Sequence, residues 1–65
     1  MGEGLSSQLV AFLWYERVRK DLRNYRRLEG VAAERLTPDI SMKATAVVRA
    51  LEELENALAE FLGRR

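Results

Sequence analysis

The chain has 65 residues, no Cys, no His and a net charge of +1. These counts exclude disulfides, thiolate nucleophiles and a Cys/His zinc site, and they remove the usual general base near neutral pH. A chain this short and without such staples needs regular helix packing or oligomerisation to hold a fold.

Apolar residues make up 48% of the chain and charged ones 32%, which suits a folded helical module rather than a disordered tail. The opening "MGEGLSSQ" lacks a basic leader, and the apolar run "LVAFLWY" is too short for a secretory core or a membrane span. The expected location is cytoplasmic, with no membrane partner. As a membrane-surface helix the same run fits poorly, because its apolar and basic residues follow one another instead of sharing a length of helix.

The first helix is predicted to begin near Ser6 or Ser7, where a Ser side chain can accept from free backbone N–H groups. With Ser6 as the cap, Leu5 and Val10 take the positions of a hydrophobic staple. Ala11, Tyr15, Val18, Leu22, Tyr25, Ala32 and Leu36 then recur at helical spacing and form one stripe. Glu29 is the only carboxylate on that stripe. Gly30 costs about 1 kcal/mol inside a helix relative to Ala, yet Ala32, Ala33 and Leu36 keep the stripe's phase, so one continuous helix over about 6–36 is expected.

"LTPDI" marks the hinge, residues 37–39. Pro38 disfavours helical geometry at Thr37, and Thr37 as cap, Pro38 at the first helical position and Asp39 in the first turn form a helix start. The second helix, about 38–62, carries Ile40, Ala44, Val47, Leu51, Leu54, Leu58 and Phe61 at alternating spacings of four and three. Gly63 fits a C-terminal stop, with Arg64 and Arg65 near the negative end of the dipole.

Folding the helices back about Pro38 pairs residues whose numbers sum to about 76. Leu22 then meets Leu54, Tyr15 meets Phe61, Tyr25 meets Leu51 and Val18 meets Leu58. Arg19 falls beside Glu55, and only Glu29 opposite Val47 is mismatched. The predicted fold is all-α: a single antiparallel helical hairpin that dimerises into a four-helix bundle. Dimerisation is expected because Leu9, Val10, Phe12, Leu13 and Trp14 wrap the first helix, and Val48, Ala50, Ala57 and Leu62 widen the second stripe. One partner helix cannot cover all nine, so they form the expected interface with a second copy or another protein.

Two nucleic-acid readings compete with this. Residues 16–27 carry six positive and two negative charges; Arg19, Lys20, Arg23, Arg26 and Arg27 form a basic face about 15 Å long that can contact phosphates. Against that, the neighbouring stretch 51–60 carries four Glu and no base, and an acidic helix beside the basic one neutralises it. Separately, "VAAERLTPDISMKATAVVRALEELE" resembles the second and third helices of helix-turn-helix regulators. That resemblance covers residues 31–55 and implies a reading helix capped at Ser41, with Lys43, Thr45 and Arg49 facing the bases. Its turn, "TPDISMK", exceeds the usual length of about 3–4 residues and lacks Gly.

There is no Gly-rich phosphate loop, no nucleophile motif and no metal-ligand spacing. The expected function is non-enzymatic and cofactor-free: a protein–protein interaction or assembly subunit, with nucleic-acid binding as the alternative.

Overall fold

In a computed structural model of the protein, residues 6–63 are described. Two α-helices, α1 (Ser7–Arg35) and α2 (Pro38–Leu62), pack on each other as a hairpin, and the described residues contain no strand.

Each helix end follows from local chemistry. Ser6 is extended (φ −79°, ψ 160°), and its hydroxyl oxygen accepts from the Leu9 N–H at 3.1 Å. Leu5, the other half of the expected staple, lies outside the described residues. α1 continues through Gly30 without interruption. Glu29 and the buried Ala32 on either side of it hold this turn against α2, which outweighs the modest helix penalty of Gly.

The chain reverses over two extended residues, Leu36 (φ −119°, ψ −177°) and Thr37 (φ −75°, ψ 157°). Pro38 demands that geometry of Thr37. The Thr37 hydroxyl oxygen accepts from the Ile40 N–H at 3.2 Å, and Lys43 pairs with Asp39 of the first turn at 3.0 Å. α2 closes at Gly63, whose φ of 71° is left-handed; its N–H donates back to the Ala59 and Glu60 carbonyls. Arg64 and Arg65 lie outside the described residues. Because α2 starts at Pro38 and runs unbroken past Ser41, no helix begins at Ser41, and the helix-turn-helix arrangement is absent.

The antiparallel register is set by three cross-helix contacts. Arg26 pairs with Glu52 at 2.8 Å, Arg19 with Glu55 at 3.8 Å, and the Thr45 hydroxyl donates to Glu29 at 2.6 Å. All three fall within two residues of the register expected from the sequence. The Glu29 mismatch is thereby resolved: Glu29 meets the hydroxyl of Thr45 instead of Val47.

The rotation of α2 differs from expectation. On α1 the stripe holds, with Ala11, Val18, Leu22 and Ala32 buried. On α2 the buried residues are Val48 and Ala59, flanked by half-buried Thr45, Glu52, Glu55 and Leu62 on one side and by Ala44, Leu51, Leu54 and Leu58 of the expected seam, also half-buried, on the other. Ile40, Val47 and Phe61, expected in the seam, are exposed, as are Tyr25 and Leu36 on α1. α2 is thus turned so that Val48 and Ala59 face α1 most fully, while the expected row lies at the edge of the contact, partly covered. Two gains favour this rotation: Glu52 and Glu55 reach Arg26 and Arg19, and the smaller Val48 and Ala59 let α1 approach closely. Val48 is therefore part of the packing between the helices and not of an outward interface.

The hairpin measures 46 × 26 × 15 Å, so its thickness is that of a single layer of helices. Among the described residues six apolar side chains are buried, and of these only Val18, Leu22 and Val48 are larger than Ala. Fully burying such a side chain contributes about 1.5–3 kcal/mol, so the core is small and one-sided.

Candidate protein-interaction surface

The rotation of α2 leaves the hairpin with two unlike flanks. One is crossed by the Arg19–Glu55 and Arg26–Glu52 pairs. The other is an apolar groove. Its upper part is an open cleft of about 410 Å³ lined by Ser7, Val10, Ala11, Trp14, Leu58 and Phe61. A second cleft of about 410 Å³ adjoins it, lined by Leu13, Trp14, Arg17, Val18, Asp21, Leu51 and Leu54. Trp14 lines both clefts, so they form one groove along the joint between the helices.

The large side chains of this groove are open to water. Trp14 is 57% exposed, Phe61 56% and Leu13 53%. On α2 the wall is made by Leu51, Leu54, Leu58 and Phe61. Leu28 of α1, also exposed, lies on the row of Val10 and Trp14. A monomer leaves an apolar surface of this extent uncovered only at a cost in solubility, and such patches mark interaction sites.

One polar pair interrupts the groove. Arg17 and Asp21, one turn apart on α1, pair at 3.3 Å beside Leu51 and Leu54.

The residues expected at an interface divide between the flanks. Val10, Leu13 and Trp14 line the groove, whereas Ala50 and Ala57 are exposed on the outer face of α2. Leu9 and Phe12 are exposed on other faces of α1. Leu62 is half-buried and Val48 is buried between the helices. Sequence reasoning missed Val47 and Phe61 as exposed residues, because it assigned their heptad row to the contact with α1.

The basic residues also divide. Arg19 is engaged by Glu55 and lies 5.6 Å over the Tyr15 ring, and Arg26 is engaged by Glu52. Arg27 donates to the Asn24 side-chain oxygen at 3.1 Å. Lys20 and Arg23 are exposed and have no carboxylate partner among the described residues. Of the residues assigned to a reading helix, Thr45 is half-buried and held by Glu29 and the Ser41 carbonyl.

Among the described residues, no three His, Cys, Asp or Glu side chains converge as metal ligands, and no helix is long and apolar enough to cross a membrane. No protein-family model, characterised protein or solved structure matches the chain.

Proposed function

We propose that this chain is a non-enzymatic protein–protein interaction or assembly subunit that self-associates through its apolar groove. The carrying observation is the groove itself: a one-layer hairpin exposes Leu13, Trp14 and Phe61 on the same side as Leu51, Leu54 and Leu58. A second hairpin laid over this face supplies the missing layer and completes a four-helix bundle, with every helix antiparallel to its neighbours. The remaining flank stays available for a further protein partner, and the cytoplasm is the proposed setting.

The test uses size-exclusion elution with Leu13→Asp and Trp14→Asp. Both side chains are already exposed in the hairpin, so the substitutions should spare its internal packing while shifting elution from dimer to monomer. Unchanged elution of both variants as dimers would place the interface elsewhere.

A second reading rests on Lys20, Arg23 and Arg27, which the acidic residues of α2 leave unneutralised. These cations lie within three turns on the outer side of α1 and suit a phosphate backbone. Under this reading Arg23→Glu with Arg27→Glu abolishes binding to a mixed DNA or RNA probe, and wild-type affinity falls steeply with salt. Absence of binding at low salt removes it.

A further inference from the structure

Resting on the self-association just described, we infer that the second copy docks with α1 antiparallel on α1, about a two-fold axis midway between Arg17 and Asp21. The groove-side row of α1 is self-complementary about that point. Arg17 and Asp21 stand two residues either side of it, and the apolar Val10 and Leu28 stand nine residues either side. When two antiparallel helices are related by such an axis, each residue faces the one equally far beyond the centre. Arg17 then faces Asp21 of the second copy, Asp21 faces its Arg17, and Val10 covers its Leu28. Trp14 and Tyr25, which are 57% and 43% exposed, come within one residue of facing each other across the contact and form an aromatic pair.

The charges choose this arrangement over the other closed one. In a bundle whose axis runs along the helices, α1 of one copy lies over α2 of the other. Arg17 and Asp21 would then be covered by the wall formed by Val47, Leu51, Leu54, Leu58 and Phe61, which has no charged side chain. Covering a charged pair without further partners carries a desolvation penalty. In the α1-on-α1 arrangement the complementary charges that the described residues place in the groove, Arg17 and Asp21 of each copy, are brought together, four in a cluster. The hairpin register carries the same axis to α2 near Ala57. There Leu54 of one copy comes beside Phe61 of the other.

Charge reversal in two separate chains tests this. Arg17→Asp leaves two acids at the axis, and Asp21→Arg leaves two bases. Each variant alone should self-associate at least about tenfold more weakly than wild type, because four like charges meet across the interface. An equimolar mixture should recover association close to wild type, as a heterodimer detected by native mass spectrometry. The doubly reversed chain, carrying both substitutions, should dimerise like wild type. The proposed axis is overturned if the single variants associate normally, or if mixing restores nothing. In the latter case, a wild type that dimerises and a Trp14→Asp variant that does not would leave the self-association reading intact. A monomeric wild type would remove both.

Discussion

Gly30 sits in mid-helix with nothing within 4 Å of where a Cβ would stand. An added methyl therefore meets no obstacle, and Gly30→Ala should raise stability by about 1 kcal/mol through helix propensity and a more restricted unfolded chain. Gly63 has the same open surroundings but a φ of 71°, where an L-residue is strained by about 1–2 kcal/mol. Gly63→Ala should lower stability by a similar amount. Urea titrations followed by circular dichroism check the pair, and the opposite signs are the informative result. Glu29 and Thr45 show how an apparent fault in a pattern acquires a use. Read as a stripe position, Glu29 is an acid facing an apolar layer. In the hairpin it accepts the Thr45 hydroxyl proton at 2.6 Å. Thr45→Val removes that donor from a half-buried carboxylate and should cost about 1–3 kcal/mol.

The two helices owe their limits to short-range chemistry and their mutual rotation to long-range competition. Arg26 and Glu52, 26 residues apart in sequence, bond at 2.8 Å across the hairpin. Both are partly exposed, so a double-mutant cycle with Arg26→Ala and Glu52→Ala should give a coupling of only about 0.2–1 kcal/mol. A non-zero coupling fixes the register even though the pair adds little stability. The caps at Ser6, Thr37–Pro38 and Gly63 were legible in the sequence because each depends on a few adjacent residues. The register was legible because Pro38 centres it and because Arg19 and Glu55 answer each other across it. The rotation of α2 was not legible. Its expected row (Ile40, Ala44, Val47, Leu51, Leu54, Leu58, Phe61) is adjoined by further apolar residues (Val48, Ala59, Leu62), and an apolar pattern wider than one helix can cover does not say which side turns inward. Which side turns inward is a property of the packed pair, in which Val48 and Ala59 pack closest and Glu52 and Glu55 reach Arg26 and Arg19. The candidate groove was accordingly half legible: Val10, Leu13 and Trp14 stood out as surplus, whereas Leu54 and Phe61 were assigned to the interior.

At the scale of the whole molecule, a hairpin 15 Å thick has a core on one side of each helix only. Its stability should be tied to association, so that the thermal midpoint rises with protein concentration, as mass action requires when the dimer is the folded species. The midpoint of Trp14→Asp should be lower and independent of concentration. The two flanks differ in chemistry: ion pairs bridge the helices on one, and an apolar groove opens on the other, which is the surface proposed for the second copy. Sedimentation equilibrium of the wild-type chain at about 10–100 μM, a range over which a dimer of micromolar affinity forms, tests this most directly. A dimer gives a mass twice the chain's 7.5 kDa, which is the expected result. A folded, helical species at the mass of one chain throughout that range would contradict it.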